Sequence, residues 1–317
     1  MARHARITDI NGIYHIVIKQ SDSKPLFPND TYKDALLEKI TESKIKYQFI
    51  VYAYCLMDTH THFIIDSNGE KISDIMKNIN LRYAKHYNKN KKTNGPLLKE
   101  RFFSELITSD EYLLKASLYI HANPKDTIRF SAQPQAYKYS SMRFYLGEKD
   151  ELEIVDTSFI LSILSKKIYY ATESYAQLFE YTLEQNAKHF KELDLSIKIK
   201  LKNKEFKIDI NNIEFEVTRN ILKRDFETEQ IIKFIEEDTG ILRSSFLSKN
   251  THGVKLPKAL FALLSGIYTR RSTYEIASLL GGMSIEQVSM LCNDAIQLVI
   301  HNPDSKNIIQ KFYKENK

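Results

Sequence analysis

The stretch Tyr52-Ala-Tyr-Cys-Leu-Met-Asp-Thr-His60-Thr-His62-Phe-Ile-Ile65 decides how this chain is read. Residues at i and i+2 of a strand project from the same face. If the segment is extended, His60 and His62 present two imidazoles side by side. Phe63, Ile64 and Ile65 favour a strand, which runs from His60 to Asp66. Tyr47 to Cys55 reads as the strand before it, and Leu56 to Thr59 as the short connection of a hairpin.

Working outward, Tyr14-His-Ile-Val-Ile18 is an apolar, β-branched strand. Asn29-Asp30 caps a helix from about Thr31 to Ser43, with Tyr32, Leu36, Leu37 and Ile40 on one face. Asn68-Gly69 is a turn. Ile72, Ile75, Met76, Ile79 and Tyr83 mark a helix to about Asn88, and Lys89 to Pro96 a basic loop. Phe102 to Ile107 reads as a fourth strand. Ser109 or Asp110 caps a further helix, ended by Pro124. The order β-α-β-β-α-β-α predicts an α+β fold, a ferredoxin-like antiparallel sheet with helices packed on one face.

This first domain spans residues 1–150, with the boundary at Glu148-Lys-Asp-Glu151. A mostly helical connecting region follows over 151–225. Within it Phe206, Ile208, Ile210, Ile213, Phe215 and Val217 nearly alternate, which fits short strands or an irregular connection. Helical periodicity returns over 226–317.

The chain has 317 residues and is 43% hydrophobic, enough for one large or two moderate domains. No run approaches the roughly 18 apolar residues of a membrane span. Met-Ala-Arg-His-Ala-Arg6 leads into no apolar run, so no signal peptide is expected. Cys55 and Cys292 lie far apart in apolar surroundings, which argues against a disulfide and for a cytoplasmic location. Residues 1–150 carry 23 Lys and Arg against 17 Asp and Glu, so the whole net charge of +6 sits there. Arg82, Lys85, Lys89, Lys91, Lys92, Lys99 and Arg101 form the densest positive stretch. They point to nucleic-acid backbone as partner, or to a solvated face.

Tyr119 and Asn123 lie four apart in Tyr-Ile-His-Ala-Asn-Pro124, on one face of a helix. A two-histidine strand that binds a divalent metal, with a tyrosine on a helix, suits cleavage of a phosphodiester bond. Asn123 offers a neutral oxygen as third ligand. Mg²⁺ prefers oxygen donors, so two histidines also suit Mn²⁺. Tyr119 is one of 19 tyrosines, and a phenol of pKa about 10 needs help to act as nucleophile. Its pairing with Asn123 singles it out. His121 points elsewhere on the helix and reads as structural.

Together, His60-Thr-His62, Tyr119-Ile-His-Ala-Asn123-Pro124, Tyr14-His-Ile-Val17, Tyr54-Cys-Leu-Met-Asp-Thr-His60, Glu100-Arg-Phe-Phe103 and Tyr139-Ser-Ser-Met-Arg-Phe-Tyr-Leu146 resemble the HUH single-tyrosine transposases. The closer resemblance is to the REP-associated tyrosine transposase branch, over about residues 1–150. That resemblance implies Mg²⁺ or Mn²⁺ on His60 and His62, completed by Asn123. It implies attack by Tyr119 on single-stranded, hairpin or palindromic DNA, giving a 5′-phosphotyrosine and a free 3′-hydroxyl. Two positions depart from the family pattern. Thr61 stands where a bulky hydrophobe is usual, and Asp58-Thr59 where Pro-Asn is usual.

Lys258-Ala-Leu-Phe-Ala-Leu-Leu264 and Thr269 to Val288 resemble the helix-turn-helix domain of the DnaA replication initiator. Gly281-Gly282 would be the turn and Ser284 to Val299 the recognition helix. Where the initiator has Arg-Asp-His-Thr-Thr, this chain has Met283-Ser-Ile-Glu-Gln287. An arginine to read guanine is missing and Glu286 repels phosphate, which leaves a weak DNA clamp or a packing domain. The rival reading of the whole chain is a non-catalytic DNA- or RNA-binding protein on the same fold. It lacks an aromatic RNP-type sheet motif and gives the Tyr119–Asn123 helix no purpose.

Overall fold

In the computed structural model, β2 (Ile50–Leu56) and β3 (His60–Asp66) pair antiparallel as a hairpin, with Cys55 opposite His62. The structure describes residues 9–20, 24–98, 100–201, 204–208, 219, 221–249, 251–302, 305 and 307–316. Lys99 and the alternating Ile210, Ile213, Phe215 and Val217 lie outside the described residues. β1 (Ile13–Lys19) pairs antiparallel with β3 on one side and with β4 (Phe103–Ile107) on the other. The sheet order is β2-β3-β1-β4. Helix α1 (Asp30–Tyr47) joins β1 to β2, and α2 (Ile72–Lys91) joins β3 to β4. This is the expected ferredoxin-like α+β plan.

Three local expectations are corrected. Asn29 does cap α1, accepting from the backbone N–H of Thr31, but the helix runs on through Tyr47. Gln48, at φ +53°, turns the chain into β2. Second, α2 continues to Lys91, so Lys89 and Lys91 sit on its last turn, where cations complement the helix dipole. Third, helices do not cover one sheet face alone. β1 and β3 are buried at six successive positions each, which alternation allows only if both faces are covered. The right-handed sense of the β1–α1–β2 and β3–α2–β4 crossovers puts α1 and α2 on one face. Helix α3 (Asp110–Ala122), capped by Ser109, covers the other.

The first compact unit comprises Met1–Thr41 and Phe49–Asn220. It therefore takes in α4 (Met142–Tyr145), α5 (Ser158–Leu164), α6 (Ile168–Leu183) and a hairpin of β5 (Ile197–Leu201) and β6 (Lys204–Ile208). Tyr175 of α6 is fully buried. It stacks on Tyr145 at 4.5 Å and hydrogen-bonds to His121 Nδ1 (2.8 Å) and Ser117 Oγ (2.9 Å). His121 Nε2 meets Ser141 Oγ at 2.7 Å, so this imidazole is a satisfied core group.

The second unit comprises Glu42–Gln48 and Ile221–Lys317. Beside the end of α1, its helices among the described residues are α7 (Thr228–Thr239), α8 (Arg243–Phe246), α9 (Lys255–Tyr268), α10 (Thr273–Leu279), α11 (Ile285–His301) and α12 (Ile308–Asn316). Leu260, Phe261, Leu263, Leu264 and Ile267 bury α9 at the centre, and α11 and α7 pack on it. Reciprocal caps start α10 (Ser272 with Glu275) and α11 (Ser284 with Gln287). Between these helices Gly281 has φ +74°, and a Cβ there would meet the backbone N of Lys249 at 2.5 Å. Among the described residues, no helix is long and apolar enough to cross a membrane.

Candidate active site

The β1–β3 register places Lys19, Val17 and His15 on the same face as His60 and His62, because Lys19 opposes His60 and Val17 opposes His62. On that face the His60 and His62 rings meet edge to face at 5.0 Å. Helix α3 brings Tyr119 over them, its ring 6.2 Å from that of His62. Asn123 caps the C-terminus of α3. Its Nδ2 donates to the Tyr119 carbonyl (2.9 Å), which turns Oδ1 toward His60 Nε2, 3.5 Å away. So the four residues that the sequence singled out for chemistry lie together.

Burial lowers the proton affinity of both histidines. His62 is held well below the usual imidazole value by burial and by the neighbouring His15 and His60. For His60, burial outweighs the opposing hydrogen bond to the Asn123 Oδ1 acceptor. Both rings are therefore neutral near pH 7, the form that binds metals. His60 Nδ1 meets Thr59 Oγ1 at 3.0 Å, and His62 Nδ1 meets His15 Nε2 at 2.9 Å. The Nε2 atoms of both rings, with Asn123 Oδ1, are thus the donors left for a divalent cation. Among the described residues no group of three His, Cys, Asp or Glu is arranged to hold a metal. A set of two imidazoles and one amide oxygen fits Mn²⁺ and leaves positions for substrate oxygens. Thr59 thus supplies a hydroxyl partner to His60. Thr61 turns into the opposite face, where its Oγ1 is buried without a hydrogen-bond partner.

Tyr119 is not poised as a phenolate. Burial raises its pKa, as do the charges of Asp126 and Glu192. Its hydroxyl donates to the Lys188 carbonyl at 3.0 Å. Beside it opens a pocket of about 350 Å³, lined by Asn123, Lys125, Asp126, Gln185, Asn186 and Lys188 among others. The segment after α6 closes the other flank. Phe190 is buried edge-on to His15 at 5.6 Å, while His189 and Lys191 hold Glu105 at 3.0 and 2.6 Å.

Sequence reasoning left several of these residues without a role. His15, Lys19 and Phe103 could have been found from the strand register. Phe103 opposes Val17 and is 56% exposed on the histidine face. Lys188 and Phe190 carried no sequence signal. The basic residues lie apart from this cluster. Arg82, Lys85, Lys89 and Lys91 project from α2, Lys92 caps it, and Arg101 precedes β4. The sheet stands between α2 and the histidines. Lys85, Lys89, Lys91, Lys92 and Arg101 are exposed, and Arg82 bonds to Asn78 at 2.9 Å.

No curated protein sequence matches the chain. A solved structure described as "Structure of the REP associates tyrosine transposase bound to a REP hairpin" is similar in part. It shows 15% identity and a TM-score of 0.41, over 50% of this chain and 94% of that one. The family model "Transposase IS200 like" matches residues 9–123, a span that begins before β1 and ends on Asn123. The matched span of the "Transposase IS200 like" model thus contains both histidines, Tyr119 and Asn123.

Proposed function

We propose that this chain cuts and rejoins single-stranded DNA beside a hairpin or palindrome, with Tyr119 as nucleophile and Mg²⁺ or Mn²⁺ held by His60, His62 and Asn123. One observation carries the reading. A single sheet face sets two neutral imidazoles against an amide oxygen, and the helix that supplies the amide also lays a tyrosine over His62. A divalent cation bound there would polarise the scissile phosphate and orient its oxygens.

The remaining work falls to the chain. Tyr119 first releases the Lys188 carbonyl, since its hydroxyl hydrogen is committed there. Its oxygen then bonds to phosphorus as the bond from phosphorus to the 3′ oxygen breaks. The phenol gives up its proton and the departing 3′ oxygen takes one up. The products are a 5′-phosphotyrosine and a free 3′-hydroxyl. One phosphodiester has replaced another, so rejoining to a different end needs no ATP. Lys19, opposite His60, offers a cation to a phosphate, and the exposed Phe103 ring offers a surface on which an unpaired base can stack.

The test is a covalent complex on a denaturing gel, formed by the full chain with a labelled hairpin oligonucleotide and Mn²⁺. Tyr119→Phe should abolish the band while DNA binding survives. Mass spectrometry should place the adduct on the peptide with Leu118, Tyr119 and Ile120. An adduct on another tyrosine would refute the assignment. DNA bound with no adduct at all would favour the non-catalytic alternative.

A further inference from the structure

One buried contact has no part in the steps above. His15 Nε2 lies 2.9 Å from His62 Nδ1, the two rings are stacked within 9° of parallel, and His15 is 3% exposed. The other nitrogen of His15, Nδ1, is buried without any hydrogen-bond partner. At that separation the facing nitrogens share one hydrogen, because two lone pairs repel and two N–H groups collide. Two arrangements exist. In one, His15 donates, so His62 carries its own hydrogen on Nε2 and has no lone pair there to give. In the other, His62 donates from Nδ1 and keeps Nε2 free as a donor atom. His60 has the same layout, with Thr59 at Nδ1 and Nε2 toward Asn123.

We infer that His15 is the positioning residue of His62: its Nε2 accepts the Nδ1–H of His62 and so holds that imidazole in the tautomer whose Nε2 can bind a metal. The inference rests on the metal reading above. Two features argue against a role in packing alone. A phenylalanine would fill the space beside Phe190 and leave no orphaned nitrogen. The strand register sets His15 opposite Ile64, one same-face pair along from Val17 opposite His62, and its ring meets the His62 ring diagonally across the two strands.

Two measurements test this on the full chain. In the metal-free protein labelled with ¹⁵N-histidine, NMR should find the hydrogen of His62 on Nδ1. A hydrogen on Nε2 overturns the inference. Calorimetric titration with Mn²⁺, without DNA, should give an affinity about 10- to 100-fold weaker for His15→Phe. His15→Gln, whose amide oxygen can accept, should recover most of it, and His62→Ala should abolish binding. If His15→Phe binds Mn²⁺ as tightly as wild type while His62→Ala does not bind, His15 only packs and the metal reading stands. If His62→Ala binds like wild type, the metal reading itself has failed. Should His15→Phe not fold, the tautomer of the wild-type protein decides.

Discussion

A chain cut after Asp150 should not retain the fold of the first unit, although all four proposed chemical residues precede the cut. The reason is where the core lies. Ile160, Leu161, Tyr175, Leu178, Phe179 and Phe190 are each at most 2% exposed, and all come after the cut. Fully burying a large apolar side chain is worth about 1.5–3 kcal/mol, so six of them amount to roughly 9–18 kcal/mol. Whole domains are stable by only about 5–15 kcal/mol. Losing Tyr175 also strips His121 Nδ1 of its partner, and a buried polar group so orphaned costs about 1–3 kcal/mol. Fragments 1–150 and 1–220 would be compared by near-ultraviolet circular dichroism and thermal unfolding. The longer should show fixed aromatic packing and a cooperative transition, and the shorter neither. A 1–150 fragment melting cooperatively, at the temperature of 1–220, would refute this account of the core.

Three further outcomes follow from particular residues. Burial pushes His121 down to about 3, so between that value and the unfolded 6.5 the unfolded chain binds the extra proton. Stability should then be full above pH 6.5 and fall by a few kcal/mol as pH drops toward 3; denaturant titrations of His121→Gln with a flattened profile would check it. Replacing Lys89, Lys91 and Lys92 together by Gln should weaken binding to all DNA sequences alike and reduce the salt slope by about 0.7 per lost contact on single strands, where an unchanged slope would make this a solvated face. Gly281→Ala puts a Cβ 2.5 Å from a backbone nitrogen at a left-handed φ, so it should destabilise the second unit by about 1–3 kcal/mol or more in thermal unfolding, and a neutral effect would be unexpected.

The sequence by itself determined whatever depends on near neighbours. The i, i+2 spacing of His60 and His62 requires one strand face. The i, i+4 spacing of Tyr119 and Asn123 requires one helix face. Alternation and capping residues placed the four strands and three helices of residues 1–123 in the right order, and Gly281-Gly282 lies where α10 gives way to α11. Boundaries slipped where a helix outlasted its apolar pattern, as α1 did through Tyr47. Only the tertiary structure decided which distant residues complete the site. His15 meets His62 across 47 positions because β1 slots between β3 and β4 in one register, and nothing local encodes that pairing. The clasp on Tyr119 by Lys188, and the packing of Phe190 on His15, join segments 69 and 175 positions apart along the chain. Such contacts form only once burial has brought both segments to one face of the sheet, so no spacing in the sequence reports them.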